Sequence, residues 1–375
     1  MKKTYTLALA GAGLLTLAMG GNALAFHGGG VAHCDGCHSM HNSADNPRAG
    51  SATSAALMKG SDASSTCLNC HNGNDRYHVA SDVGSNTNQG GDFFWVANDY
   101  TYLVRGNERT SLGDNHGHNI VAADFGFVAD PTNTQAPGGS MQSNVLGCTS
   151  CHDPHGQVAG GTSNGTAAIS VSGSYGAADP LDGSIHGNFR LLGDAGFKNI
   201  NTVAPVATSN SYDGAYVNYG NGMSGWCLSC HGNFNDGANM HPVNVAVPTV
   251  YNQYVASGDF SGTVDTAFDA LVPFERGISD GSDAAMVADS TVGVDGNSKV
   301  MCLSCHRAHA SAFDNALRWD GYTSEYIAES AILQDHDGKM TAGAVPYYAG
   351  GVAVDVVATY GEYQRSLCNK CHAKD

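Results

Sequence analysis

All twelve cysteines of the 375-residue chain stand in pairs three positions apart, and in every pair the second cysteine is followed at once by histidine. The units are Cys34/Cys37/His38, Cys67/Cys70/His71, Cys148/Cys151/His152, Cys227/Cys230/His231, Cys302/Cys305/His306 and Cys368/Cys371/His372. An even cysteine count in an exported chain invites a disulfide framework, but that reading leaves the identical spacings and the six histidines unexplained. Zinc sites and redox Cys-x-x-Cys pairs use the same thiol spacing and do not require histidine beside it. One chemistry needs all three residues. Two thiols one turn apart each form a thioether with a haem vinyl group, and the adjacent imidazole then lies under the iron. The sequence therefore predicts six covalently attached c-type haems, with the twelve cysteines as attachment points and His38, His71, His152, His231, His306 and His372 as proximal ligands.

Eleven of the 17 histidines remain: His27, His33, His41, His78, His116, His118, His155, His186, His241, His309 and His336. Six of them would make every iron bis-histidine. His41, His155 and His309 each follow a proximal histidine by three residues. On a helical turn such a pair shares one face and cannot straddle a haem, so the second imidazole must serve a different iron. His118, in His116-Gly117-His118-Asn119, and His241, in Met240-His241-Pro242, lie in turn-rich segments able to present a ring. His116 competes with His118 for one role. His78 follows His71 by seven residues and is within reach of a haem. The expected distal set is His41, His78, His118, His155, His241 and His309; His27 is left open, and His33, His186 and His336 read as surface residues. Met40, Met223, Met240 and Met301 lie near motifs and would raise a potential if they replaced imidazole, but packing is the default reading of methionine.

The rest of the chain must position these groups with little ordinary material. Only 14% of residues are Asp, Glu, Lys or Arg, against roughly a quarter in soluble proteins, and Gly, at 49 residues, is nearly double its usual share. Lys2 and Lys3 precede an apolar stretch from Leu7 to Met19 and then Ala23-Leu24-Ala25, which reads as a signal peptide over residues 1–25. No later run is long enough to span a membrane. The formal charge of -17 argues against nucleic acid as a partner. Motif starts at 34, 67, 148, 227, 302 and 368 show no matching repeats between them. Roughly 58 residues per haem are too few for six independent folds, so residues 26–375 read as one hexahaem domain.

The expected fold is a multihaem cytochrome c: mostly coil and turns, short helices, few short strands, and the haem chain as core. Helices are predicted around Ser51 to Lys59, Pro248 to Ser257 and Glu325 to Leu333, with a turn at each motif. Short ribbons are predicted around Ile169 to Val171 and Ala215 to Val217. Thioether staples and iron bonds offset the entropy of loops that a side-chain core would not hold. Aromatic residues read first as haem packing. Asp280-Gly281-Ser282-Asp283 reads as turn chemistry rather than a calcium or magnesium site.

Several extended motifs carry a family resemblance. They are Phe26-His27 leading through Val31 into Cys34 to Ser43, Cys67 to His71, Gly91-Asp-Phe93 with Trp95, Gly117 to Val121, Cys148 to Gly156, Cys302 to Ser311 and the terminal Leu367 to Asp375. In that order, over nearly the whole mature chain, they resemble the OmcS-like hexahaem outer-surface c-type cytochromes of Geobacter-type bacteria, which polymerise into conductive filaments. The resemblance implies head-to-tail subunits and a continuous stack of bis-histidine haems. It implies that His41 ligates the fifth haem of the neighbouring subunit, the one with proximal His306. It also implies histidines at the positions of His27, His78, His118, His155, His241 and His309, with no requirement for His33, His116, His186 or His336. The function so expected is long-range extracellular electron transfer without catalysis, at the outer cell surface, with other redox cytochromes and extracellular acceptors as partners. A monomeric periplasmic shuttle is the alternative. A multihaem reductase of a small molecule is a further one, and it would need an open iron that the histidine surplus argues against.

Overall fold

Among the described residues helix is confined to short segments, mostly where cysteines must be held one turn apart. The computed structural model describes residues 34–39, 57–74, 78–82, 90–104, 107–154, 192–193, 195–209, 217–236, 241–248, 272–279, 294–319, 333–335, 347–349, 352–354 and 371. Its helices are α1 (Cys34–Cys37), α2 (Ala63–His71), α3 (Phe94–Ala97), α4 (Cys148–Cys151), α5 (Met223–Cys227) and α6 (Cys302–Cys305). Three of them, α1, α4 and α6, start on the first cysteine of a motif and end on the second. The serine between those cysteines closes the turn in α4 and α6: Ser150 Oγ accepts the Gly147 N–H and Ser304 Oγ accepts the Met301 N–H, each at 3.1 Å. This is the backward half of a capping box, supplied from the third helical position.

The longer α2 carries its whole motif through His71 and has a stronger cap. Asp62 Oδ1 accepts the Ser65 N–H at 2.7 Å, while Oδ2 accepts the Ala123 N–H at 2.9 Å, so one carboxylate both starts the helix and ties down a distant loop. Ser64 Oγ then accepts the Cys148 N–H at 3.0 Å and seats the start of α4 against α2.

The strands form short antiparallel pieces. The antiparallel hairpin of β1 (Tyr100–Val104) and β2 (Asn107–Ser111) is extended on the β1 side by β5 (Leu333–Asp335), in the order β2-β1-β5. Two further ribbons pair β3 (Val206–Ser209) with β4 (Val217–Asn221), and β6 (Tyr347–Ala349) with β7 (Val352–Val354). Among the described residues the buried apolar side chains form two clusters. One holds Leu68, Ala80, Phe93, Ile120 and Ala122 with Cys148 at its edge; the other holds Ala207, Val217, Tyr219, Met223, Met301 and Leu303 with Cys227 at its edge. Each cluster is thus bordered by a cysteine of the expected attachment set.

The coil-rich architecture agrees with expectation, and of the ribbon predicted at Ala215 to Val217 the described residue Val217 begins β4, while Ala215 and Tyr216 lie outside the described residues. The predicted helices fare differently. Of Ser51 to Lys59, the described residues 57–59 are irregular, with Leu57 at φ 54° and Met58 bridging to His38, because the segment pairs back onto the first motif. Leu333, placed at a helix end, instead begins β5. The remainder of Glu325 to Leu333, most of Pro248 to Ser257, and the ribbon at Ile169 to Val171 lie outside the described residues. So does the acidic turn at Asp280 to Asp283.

Candidate haem sites

Among the described residues the cysteines form no disulfide, so the motifs are not consumed by cross-links. The helices instead bring consecutive motifs together edge to edge. Cys67 and Cys148 are in side-chain contact, as are Cys227 and Cys302. Cys67 is pushed up in pKa first by its hydrogen bond with Cys148 and then by burial; Cys227 is pushed up in the same way by Cys302. Burial alone is the leading cause that pushes the Cys151 thiol up to about 12, and burial likewise raises Cys230. Thioethers at these positions would place the second haem against the third and the fourth against the fifth.

Two expected attachment cysteines depart from this pattern of buried, clustered thiols. Cys70, on the last turn of α2, is exposed, in contrast to Cys67 one turn before it. The first thiol of that motif is held between α2 and α4, which leaves the second on the outward side of the helix. Cys371 is half-buried in a turn, and its motif partners Cys368 and His372 lie outside the described residues. For Cys70 and Cys371 the assignment as attachment points stands on the spacing of the sequence. Cys37 and Cys305, which close α1 and α6, are half-buried.

Histidine supplies the second half of the sites that are assembled. The rings of His118 and His231 face each other with centroids 6.0 Å apart, those of His152 and His309 at 6.3 Å, and those of His241 and His306 at 6.4 Å. Two imidazoles bound through Nε2 on opposite sides of one metal, with metal–nitrogen bonds of about 2 Å, put their ring centres roughly 6 Å apart. Each pair joins one proximal residue to one residue of the expected distal set. Among the described residues no three His, Cys, Asp or Glu side chains converge as they would around a bare metal ion. Paired imidazoles beside paired thiols fit haem and do not fit zinc.

Ring orientation is fixed from behind. His231 Nδ1 donates to the Pro137 carbonyl at 2.7 Å, His118 Nδ1 to Ala308 at 2.7 Å, His306 Nδ1 to Asn315 at 2.8 Å and His309 Nδ1 to Gly91 at 3.3 Å. A carbonyl only accepts, so each Nδ1 carries the hydrogen and each Nε2 keeps its lone pair for a metal. Burial lowers the pKa of His118, His306 and His309, the last to about 3, and the facing imidazole lowers each further. The rings are therefore neutral at neutral pH, the state that binds metal. Aromatic packing completes the support: Phe93 stacks on His309 at 4.9 Å, and Phe234 lies against both His231, at 5.7 Å, and His241, at 4.7 Å.

Two glycines let the chain of His309 pass. Gly91, at φ +93°, would place a Cβ 1.8 Å from the Ala310 carbonyl oxygen, and Gly117 would place one 2.3 Å from that of His309. The same approach carries the bonds His309 N–H to Gly90 O at 2.7 Å and His118 N–H to His309 O at 2.9 Å, so one backbone crossing positions two residues of the expected distal set. Gly91→Ala is expected to destabilise the protein by about 3 kcal/mol or more, since both the left-handed backbone and the contact must give. Thermal unfolding of the haem-loaded protein measures this, and the visible spectrum should show partial loss of six-coordinate haem in the same variant.

His116 resolves differently from His118. It is fully buried, with Nδ1 2.7 Å from the Trp95 carbonyl and Nε2 2.7 Å from Ser111 Oγ, which also bonds Asp314 at 2.7 Å. Both ring nitrogens are engaged, and burial lowers its pKa. His116 therefore holds β2 to the loops around α3 and Asp314. His116→Ala should cost about 1–3 kcal/mol by leaving these partners unpaired, with an unchanged haem spectrum; calorimetry and absorbance together check it.

Other expected residues are placed as follows. His38 follows α1, where Ser39 N–H bonds Leu57 O at 2.7 Å. The backbone of Val79 returns to His71 O at 2.8 Å, which sets His78 beside the second motif. Met223 and Met301 are buried in the apolar cluster, in the packing role. His27, His33, His41, His155, His186, His336, Cys368, His372, Met40 and Met240 lie outside the described residues. The ring-anchoring carbonyls, Phe93, Phe234 and the two glycines were not singled out by spacing; the resemblance strings Gly91 to Phe93, Gly117 to Val121 and Cys302 to Ser311 marked that neighbourhood.

The fold and these sites define a multihaem c-type cytochrome. No family model matches the sequence. The chain is 38% identical over 440 aligned positions to the C-type cytochrome OmcS of Geobacter sulfurreducens, covering all of both proteins, and it belongs to the OmcS family. It is also similar to the cryo-EM structure of the OmcS nanowires from the same organism, at TM-score 0.70 and 36% identity over 92% of this chain and 99% of that one. A second structure, of the Outer Membrane Cytochrome S filament, matches at TM-score 0.68 with the same identity and coverage. Covalent haem c and electron transfer follow from that membership.

Proposed function

We propose that this chain, cleaved after residue 25, is a single-domain hexahaem cytochrome that carries electrons over long distances outside the cell as a head-to-tail polymer. The observation that carries the reading is the set of three facing imidazole pairs. With His309 opposite His152, His118 opposite His231 and His241 opposite His306, the third, fourth and fifth irons would each be held by two imidazoles. An iron so closed passes electrons and binds no substrate, which favours conduction over a reductase. The matched filament structures support polymerisation. Among the described residues no helix is long and apolar enough to cross a membrane.

Three irons then remain, with proximal His38, His71 and His372, and three expected distal residues remain, His41, His78 and His155. Cys70 and Cys371 complete the attachment of the second and sixth haems in this reading. An exposed Cys70 suits a thiol that the haem itself covers once the thioether forms. His41 cannot reach across the haem of its own motif, and we assign it to an iron of the adjacent subunit. The family resemblance gives it the fifth iron; His241 standing opposite His306 in the same chain favours an in-chain pair there, and another iron of the neighbour for His41. Redox cytochromes upstream and extracellular acceptors downstream are the partners of such a wire. Cryo-EM of the secreted haem protein tests the whole reading. The expected map is a filament with every iron between two histidines. A monomer whose reduced form binds carbon monoxide at a haem with no missing neighbour would overturn it in favour of an enzyme.

A further inference from the structure

Glu275 is wholly buried at the place where the fourth and fifth haem sites meet. Its backbone forms a ladder with Lys299, donating to Lys299 O at 2.9 Å and accepting from Lys299 N–H at 2.8 Å, so the fold at this position does not call for an acid. The side chain nevertheless reaches the first turn of α5, where Oε1 accepts the Met223 N–H at 2.5 Å and the Ser224 N–H lends further support. Oε2 has no hydrogen-bond partner among the described residues. The carboxyl group faces Cys227 and Cys302, and its charge acts on both thiols. Tyr219, which bridges to it, and Met223, which bonds it, belong to the buried apolar cluster that also holds Met301 and Leu303. Keeping an acid half-partnered in such surroundings is costly, and a neutral residue of the same shape would fold here at least as well.

We propose that Glu275 controls the potentials of the haems attached at Cys227 and Cys302, holding them low when ionised and letting them rise when protonated. The inference rests on the reading of these motifs as haem sites. A buried negative charge beside two irons favours their ferric state, and low dielectric makes the effect larger than at a surface. Uptake of one electron by an adjacent iron, from Fe(III) to Fe(II), is then accompanied by uptake of one proton from water onto the carboxylate. Oxidation returns that proton, and no bond to iron changes. The charged group facing Glu275 is Lys299, which favours the carboxylate, while burial is the larger influence and pushes its pKa up. Arg276 is turned away, with Nε donating to Asn218 at 2.6 Å and its guanidinium over Phe274. The sign follows: the potentials of the two haems fall as pH rises through the carboxyl pKa.

Spectroelectrochemical titration of the secreted haem-loaded protein across the neutral pH range tests this. In the wild type, two of the six redox components should move down with increasing pH. In Glu275→Gln those two should stay at their low-pH values, raising their ferrous-to-ferric ratio at alkaline pH about tenfold at a fixed applied potential, or about 59 mV for one electron. Lys299→Gln leaves the acid in place and should shift the pH of the fall upward, which keeps the proposal testable if the Gln variant fails to accumulate. Wild-type titration curves in both variants would overturn it. Because iron potentials are read in monomer and polymer alike, absence of filaments would refute the conduction reading without touching this one.

Discussion

His309→Ala is expected to open one haem in six. The ring of His309 is the one that faces His152 at 6.3 Å, and its removal leaves the third iron with a ligand on one side only. The oxidised protein should gain a high-spin signal of one haem per chain, and the reduced protein should bind one carbon monoxide where the wild-type filament binds none. Free imidazole should restore the low-spin spectrum, because alanine keeps the backbone bonds of residue 309 to Gly90 and His118 and so leaves a ring-sized space beside Phe93. Stability should fall by about 2–5 kcal/mol from the cavity and the lost stack, as in other large-to-small core changes. A variant that remains wholly six-coordinate without imidazole would show that another residue holds that iron.

The legible part of this protein was its covalent chemistry. Cys-x-x-Cys-His repeated without exception left one reading for Cys148, Cys151 and His152, and equally for the other motifs, because thioether and iron bonds demand residue type and spacing together. Spacing said nothing of how each thiol is housed: Cys67 is pressed against Cys148, while Cys70, one turn on, is exposed. The three-residue offset of His309 from His306 also carried information: geometry excluded its own haem, and the ring is found opposite His152, the proximal residue of the third motif. Less was legible where long-range approach decides. Nothing in the spacing separates His116 from His118, two residues apart, yet one is locked to Trp95 and Ser111 while the other reaches His231. The difference arises because Gly117 lies against Ala310 nearly two hundred positions later. Helix prediction near Leu57 failed for a related reason, since backbone pairing with the first motif overrides local propensity. Glu275 had no signal at all, being one acid among loops until burial singled it out.

The second large effect concerns the ends of the wire. His41→Ala is expected to abolish filaments while leaving the pairs at the third, fourth and fifth irons untouched. A ligand donated to the next subunit makes a contact between unlike surfaces, and such a contact propagates as a helix when it does not close. If the coordination bond contributes about 4 kcal/mol per junction, its loss weakens each association by about a thousandfold, and a polymer multiplies that loss at every joint. The same assignment makes a prediction about the unmodified protein. A dilute wild-type monomer lacks its neighbour's imidazole, so one reduced haem per chain should bind carbon monoxide, and that binding should disappear as filaments form. In His41→Ala it should persist at every concentration. Filaments of wild-type form assembled from the variant, with every iron six-coordinate, would remove His41 from the junction and leave side-chain packing to hold the subunits together.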